Sequence, residues 1–209
     1  MSRINRSIQK SEQKVAQGSI YDVSNRQNVP VEAVMADAEA VVFFDRSGSM
    51  SHYINEDQYD PFAYNRPNPG GNTRFEEANK ALEGIQRRYD GKIILIPFST
   101  FPELQLNGVP RPPDGGTDVA AALEMGKQFD GLGMKFVLIS DGEPNSDVAA
   151  IEVAKTYEDP IDTIFIGADK DIRGIDFLNR LSAATRGQAL GKIDVEKLEG
   201  ATVKLLEGR

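Results

Sequence analysis

The sequence of 209 residues contains no cysteine and only one histidine, His52. Disulfide bonds and thiolate metal sites are therefore excluded, and a single histidine cannot form the imidazole cluster that zinc or copper sites usually require. No apolar run approaches the roughly 18 residues of a membrane-spanning helix, and the first residues lack the apolar core of a secretory signal. From these absences we expect a cytoplasmic protein with no membrane partner, in which any metal ion is held by oxygen atoms.

Acidic residues outnumber basic ones outside the N-terminus. The formal net charge is −8, and residues 1–28 carry five basic and two acidic side chains, so the remainder of the chain carries −11. Because an acidic surface lacks the clustered Lys and Arg that contact phosphates, we expect no nucleic acid to bind through the main domain. The length fits one domain with an additional arm.

The sequence contains four continuous apolar runs, at residues 40–44, 92–98, 135–140 and 161–166. Runs of this kind, rich in Ile, Val and Phe, are typical of strands buried on both faces of a parallel sheet. Helical patterns lie between them, so the chain is predicted to be a doubly wound α/β domain with helices on both faces of a mostly parallel sheet. Residues 187–193 are predicted to be the last strand. Residues 103–109 follow the second strand too closely for a crossover helix, and we predict a short antiparallel edge strand there.

The clearest helical pattern begins at Thr73. Thr73 and Glu76 form a capping-box signature, and Gly91 is a suitable helix stop. Further helices are predicted to begin after residues 118 and 147 and to cover 174–187 and 194–206. In the first two of these we expect Asp118 to place a favourable negative charge at the helix start and Val148 to face the core.

Two segments do not fit the alternation of strands and helices. Residues 1–39 precede the first strand and are interpreted as an N-terminal arm, which packs on the domain of residues 40–209 or on a neighbour. Residues 51–72 lie between the first strand and its helix, where a connection normally has about two to six residues. We therefore expect this insertion to be functional. Its aromatic residues either form a contact surface or fix the insertion to its own domain.

Acidic and hydroxyl side chains follow the predicted strands. Asp45, Ser47 and Ser49 come directly after the first strand, Asp141 follows another, and Thr117 begins a helix after two glycines. Ligand sites in open α/β sheets lie beyond the carboxyl ends of the strands, so these residues should converge. Two carboxylates and three hydroxyls are hard donors that suit Mg²⁺, Mn²⁺ or Ca²⁺. The compact loop favours Mg²⁺, and so few charged ligands leave the ion able to accept a carboxylate from another molecule.

The motifs "DRSGSM", "GGTD" and "ISDG" together resemble the metal-ion-dependent adhesion site (MIDAS) of von Willebrand factor type A (vWA) domains. The resemblance covers roughly residues 40–193 and is greatest to the stand-alone intracellular versions of bacteria and phages. It implies that Ser47 and Ser49 coordinate the metal directly, that Thr117 does so directly or through water, and that Asp45 and Asp141 act through water. It further implies binding of a protein partner through that partner's Asp or Glu, with no catalysis by this chain.

The resemblance has one departure and leaves alternatives open. The family usually passes from "SGSM" almost directly into its first helix, so the 51–72 insertion puts in question whether the metal face is open. The first alternative is a structural subunit of a larger assembly, such as a phage particle, that contacts neighbours through residues 1–39. The second is a metal-dependent phosphohydrolase, although Ser47 stands where an aspartyl phosphatase needs an acid. The sequence also lacks a nucleotide-binding P-loop and the serine elbow of α/β-hydrolases.

Overall fold

A computed structural model of the protein describes residues 14–53, 72–142, 144–167 and 171–208. Within these ranges the chain forms five β-strands and seven α-helices. The strands are β1 (Ala40–Asp45), β2 (Ile93–Phe98), β3 (Lys135–Ser140), β4 (Ile161–Phe165) and β5 (Ala189–Lys192). The helices are α1 (Ile20–Gln27), α2 (Val31–Ala36), α3 (Arg74–Tyr89), α4 (Val119–Gly126), α5 (Asp147–Ala154), α6 (Ile172–Ala184) and α7 (Leu198–Glu207).

The five strands form one parallel sheet in the order β2-β1-β3-β4-β5. Val42 of β1 lies opposite Leu95 of β2 on one side and opposite Val137 of β3 on the other. Every residue of β1 and β2 is buried, as expected for strands covered on both faces. The predicted doubly wound α/β fold is confirmed.

Helices cover both faces of the sheet because alternate residues of each strand point to opposite sides. Val41 and Phe43 of β1 belong to the core beneath α1, α2, α4, α5 and α6. Val42 and Phe44 belong to the core beneath α3 and α7. Because the five strands are parallel, their carboxyl ends all lie along one edge of the sheet, which we call the carboxyl edge; the opposite edge is the amino edge.

Helix α3 has the capping box that the sequence predicted. The Thr73 hydroxyl accepts a hydrogen bond from the Glu76 backbone N–H at 3.2 Å, and the Glu76 carboxylate accepts the Thr73 backbone N–H at 2.8 Å. Beyond the helix the chain turns at Gly91, whose φ of +85° suits glycine. The cap fixes the first residue of α3, Arg74, at the carboxyl edge of the sheet.

Helices α1 and α2 pack on the sheet. Ile20, Val23 and Val34 are buried in the same core as Val41 and Phe43. Residues 1–13 lie outside the described residues, and the division into an arm (1–39) and a domain (40–209) stays a prediction. None of the helices in the described ranges is long and apolar enough to cross a membrane.

Most of the predicted 51–72 insertion lies outside the described residues, which resume at Asn72. Where they are described, its two ends are adjacent. Tyr53 forms an isolated antiparallel bridge with Thr73, and the Arg74 backbone N–H donates to the His52 carbonyl at 3.0 Å. The predictions about the insertion's aromatic residues beyond Tyr53 therefore stay predictions.

The predicted antiparallel edge strand at residues 103–109 is wrong. This segment runs antiparallel beside β2, and the backbone N–H groups of Glu103 and Gln105 donate to the carbonyls of Pro97 and Leu95 at 3.0 and 2.9 Å. It forms no strand because Pro97 has no N–H group to return a hydrogen bond to Glu103. The chain then turns at Gly108 with a φ of +71°.

The prediction that Val148 faces the core is also wrong, because this side chain is exposed. Helix α5 instead buries Ala150 and Ala154, which lie four residues apart on one face. Val148 is two residues from Ala150 and therefore lies about 200° around the helix axis from it. Helix α5 thus packs through small residues and leaves a valine at the carboxyl edge.

Candidate metal centre

The loop after β1 is fixed by the carboxylate of Asp45, which is wholly buried. Its Oδ1 accepts the backbone N–H of Ser47 at 2.7 Å, the turn that an aspartate two residues upstream typically makes. Its Oδ2 accepts the hydroxyl of Ser140, at the end of the neighbouring strand β3, at 2.5 Å. These two contacts hold Asp45 between its own loop and β3.

The two serine hydroxyls connect the loop after β1 to the loop after β3. The Oγ atoms of Ser47 and Ser49 are 3.0 Å apart, and the Ser49 hydroxyl donates to Asp141 Oδ1 at 2.8 Å. Together with the Asp45 to Ser47 contact, these hydrogen bonds link Asp45, Ser47, Ser49 and Asp141 in one continuous chain. The structure therefore brings together four of the five residues that the sequence singled out.

Thr117 is placed by its main chain. The Thr117 backbone N–H donates to Asn145 Oδ1 at 3.0 Å, and the Asn145 backbone N–H donates to the Thr117 carbonyl at 2.8 Å. Two residues earlier, the Gly115 carbonyl accepts the Gly48 backbone N–H at 3.1 Å. Thr117 is buried between the loops after β1 and β3. Across the described residues, no hydrogen bond joins its hydroxyl directly to the other four side chains.

Two buried carboxylates make the electrostatics of this edge unfavourable without a cation. Burial and the nearby Asp141 carboxylate raise the pKa of Asp45 to about 7, while hydrogen bonds with Ser140 and Ser47 act in the opposite direction. Neutral hydroxyls separate the two acids and cannot neutralise them. A cation at this position would favour the ionised form of Asp45.

Arg74 supplies one positive charge to the site. Its Nη1 lies 2.6 Å from Asp141 Oδ2, and its side chain is only 12% exposed. The sequence motifs did not point to Arg74, Ser140 or Asn145. Ser140 and Asn145 stand close to Asp141 in the chain, so their proximity was an available signal. Arg74 was detectable only through the predicted start of its helix, directly after Thr73.

The donor set is compatible with a hard divalent cation. In the described ranges no three His, Cys, Asp or Glu side chains gather in one place, so a metal here would take hydroxyl or water oxygens as well as carboxylates. Mg²⁺ commonly binds through one or two carboxylates and keeps several waters. Such a set would consist of Asp45, Ser47, Ser49, Thr117 and Asp141.

Large apolar side chains are exposed around this site. Phe101, Val148 and Ile172 are 75%, 68% and 73% exposed, and each follows the carboxyl end of a different strand. We call these three residues the apolar rim. Thr100, beside Phe101, accepts the Gly116 backbone N–H at 2.9 Å and so connects the rim to the loop that holds Thr117.

Solved structures share this architecture. A von Willebrand factor type A protein from Catenulispora acidiphila aligns with a TM-score of 0.54 and 17% identity over 81% of this chain and 42% of its own. The ArnB paralog VWA2 from Sulfolobus acidocaldarius aligns with a TM-score of 0.51 and 19% identity over 82% of this chain and 44% of its own. The chain has a vWA fold.

The similarity to vWA structures extends to a minor pilin. PilB from Streptococcus sanguinis aligns with this vWA fold at a TM-score of 0.61 and 16% identity, over 82% of this chain and 61% of its own. The chain therefore spans less than two thirds of each of these three structures. No protein-family model matches the sequence, and no curated protein matches it. At these identities the likeness establishes the fold, while the MIDAS and the bacterial or phage stand-alone kind stay predictions.

Proposed function

We propose that this vWA domain is a Mg²⁺-dependent protein-binding module in which an Asp or Glu of the partner completes the metal coordination. The observation that carries the proposal is the continuous contact from Asp45 through Ser47 and Ser49 to Asp141. Two buried carboxylates and two hydroxyls meet there at the carboxyl edge of the sheet. Mn²⁺ or Ca²⁺ would suit the same oxygen donors.

The residues of the proposed site divide into two groups with different tasks. Ser47, Ser49 and Thr117 offer neutral oxygens, while Asp45 and Asp141 supply the negative charge that holds a divalent cation in place. Once bound, the ion would offer an open coordination position to an anionic oxygen. We propose no catalytic step for this chain. We also propose that the protein is cytoplasmic.

The apolar rim favours a protein as the partner over a small anion. Phe101, Val148 and Ile172 expose large apolar side chains at the edge where the carboxylate would enter. Burial of apolar surface is the dominant favourable term in most protein–protein association, and aromatic side chains such as Phe are enriched in interfaces. The expected partner therefore presents an acidic side chain flanked by apolar residues.

Calorimetric titration with Mg²⁺ tests the metal site. The wild-type chain should bind one ion, and the double variant Asp45→Ala/Asp141→Ala should bind none. An unchanged affinity in the double variant would refute the proposal.

Affinity capture tests whether binding of the partner depends on the metal and on the rim. A partner should be captured with Mg²⁺ and lost with a chelator. Phe101→Ser should weaken capture without changing Mg²⁺ affinity. Leu132→Ser is the matched control, because Leu132 is 65% exposed but lies before β3, at the amino edge.

A second candidate function is a structural subunit that contacts neighbours through residues 1–39. Its supporting observation is that Val15 and Tyr21, within this segment, expose apolar surface. The variant Val15→Ser/Tyr21→Ser distinguishes the two functions. Loss of assembly in this variant, with normal assembly of the Asp45→Ala/Asp141→Ala variant, would favour the structural role.

A further inference from the structure

Arg74 occupies one side of the Asp141 carboxylate. Asp141 Oδ1 accepts the Ser49 hydroxyl at 2.8 Å, and Asp141 Oδ2 is 2.6 Å from Arg74 Nη1. The side chain of Asp141 is wholly buried and that of Arg74 nearly so. A guanidinium ion therefore neutralises a carboxylate of the proposed metal site within the chain itself.

Helix α3 gains nothing locally from an arginine at its first position. The start of the helix is already capped by Thr73 and Glu76. A positive charge in the first turn opposes the helix dipole, which favours acids at that end. Arg74 is thus placed where its own helix disfavours it, and the compensating contact is with Asp141.

A second arginine of this edge, Arg46, faces other acids. Arg46, within the loop after β1, is buried, and its guanidinium contacts Asp114 at 2.7 Å and Glu103 at 3.4 Å. Arg74, and not Arg46, is thus in direct contact with a buried acid of the site.

We propose that Arg74 is an intramolecular competitor of the divalent ion for Asp141. In the metal-free chain its guanidinium neutralises Asp141, and a metal ion must displace or share this contact to bind. Arg74 thereby lowers the Mg²⁺ affinity of the site and stabilises the fold when no metal is bound. This inference rests on the proposed metal-binding function.

Calorimetric titration of the full chain with Mg²⁺ tests the inference. Arg74→Gln removes the positive charge and should tighten Mg²⁺ binding at least about tenfold, the change typical of one charge-assisted hydrogen bond. Arg74→Lys keeps the charge but not the guanidinium geometry, and should tighten binding less. Arg88→Gln is the matched control at the far end of α3, where Arg88 pairs with Glu207 on the exposed surface, and it should bind Mg²⁺ like the wild type.

Thermal unfolding gives a second measurement that does not depend on metal affinity. In chelator, Arg74→Gln should melt at a lower temperature than the wild type, because the buried Asp141 charge has lost its partner. Mg²⁺ should then raise the melting temperature of Arg74→Gln by more than it raises that of the wild type. If Arg74→Gln does not fold, the same comparison is made with Arg74→Lys.

The outcomes separate this inference from the proposed function. If the wild type binds Mg²⁺ and the Arg74 variants bind it equally or more weakly, the competitor role is overturned while the metal site stands. If neither the wild type nor the Arg74 variants bind Mg²⁺, both the competitor role and the proposed metal site are overturned. If only the Arg74 variants bind, the competitor role is supported in its strongest form.

Discussion

Asp130 and Asp45 are buried aspartates at opposite edges of one sheet, and their carboxylates have different surroundings. At the amino edge, Asp130 accepts the Lys127 ammonium at 2.6 Å and the backbone N–H groups of Glu158 and Asp159 at 2.9 Å each. Burial alone would raise the pKa of Asp130, but these hydrogen bonds outweigh it and lower the pKa. This carboxylate is neutralised by the chain.

At the carboxyl edge the balance is reversed. Asp45 accepts one backbone N–H group and one hydroxyl, and it lies near a second buried acid, so its pKa is raised to about 7. Both side chains are almost fully removed from solvent, although Asp130 as a residue lies closer to the surface than Asp45. An ammonium ion and two backbone N–H groups outweigh the effect of burial at Asp130, whereas one N–H group and one hydroxyl do not outweigh it at Asp45. We therefore expect a cation to be needed at Asp45 and not at Asp130.

The largest expected effect comes from neutralising the acids of the carboxyl edge. Asp45→Asn/Asp141→Asn should weaken Mg²⁺ binding at least about 100-fold, because even residues that only support a metal ligand are worth about 10–100-fold. Calorimetric titration measures the change. Asp130→Asn is the matched control and should bind Mg²⁺ with wild-type affinity. An equal loss of Mg²⁺ affinity in both variants would show that the two edges do not differ in this respect.

Asp130→Asn should instead affect stability. Losing the charge that pairs with Lys127 should lower the free energy of unfolding at pH 7 by about 2 kcal/mol, within the range for hydrogen bonds to charged groups. Urea denaturation measures this loss, which should be the same with and without Mg²⁺. A loss that Mg²⁺ restores would show that Asp130 also serves the metal.

The pH dependence of this loss has a definite sign. Folding lowers the pKa of Asp130, so its carboxylate contributes stability above its unfolded value of about 3.9. That contribution disappears as the pH falls through the lower folded value. The difference between wild type and Asp130→Asn should therefore shrink below about pH 4.

Ser140→Ala tests how far Asp45 depends on its second hydrogen bond. The Ser140 hydroxyl is buried and donates to Asp45 Oδ2. Its removal should weaken Mg²⁺ binding by about tenfold, the lower end of the range for groups that orient metal ligands. Ser182→Ala, which removes a buried hydroxyl from α6, should leave Mg²⁺ affinity unchanged. An unchanged Mg²⁺ affinity in Ser140→Ala would show that Ser47 alone orients Asp45.

The smallest expected effect belongs to Asn145. Asn145→Ala removes the acceptor of the Thr117 backbone N–H and should weaken Mg²⁺ binding about threefold, as expected for a neutral hydrogen bond. Asn79→Ala on α3 is the control. A loss as large as that of Asp45→Asn/Asp141→Asn would mean that Thr117 has a greater share in the site than its position suggests.

Much of the fold follows from the sequence because buried parallel strands are continuous apolar runs. Strands β1 to β4 begin or end within a residue of the predicted runs, and the Thr73 cap of α3 was readable from one residue pair. The 103–109 segment was predicted to be a strand because it follows β2 too closely for a crossover helix, and it does run antiparallel beside β2. The obstacle is Pro97 on the neighbouring strand, which a local pattern does not reveal.

The candidate site was partly predictable for the same reason. Asp45 is the last residue of β1 and Asp141 directly follows β3, so parallel topology alone brings them to one edge. Arg74 was not predicted because its contact with Asp141 depends on how α3 returns to that edge after the 51–72 insertion. The long sequence separation between Arg74 and Asp141 leaves no local pattern to detect.

The antiparallel bridge between Tyr53 and Thr73 should make the carboxyl edge tolerant of changes in the segment between these two residues. The bridge holds the two ends of the intervening segment together, and one of its residues, Thr73, is also the N-cap of α3. Because these ends are joined, a change in the residues between them should leave the distance between the serine loop and the start of α3 unchanged. The position of Arg74 relative to Ser47 and Ser49 should therefore tolerate insertions and deletions within residues 54–71.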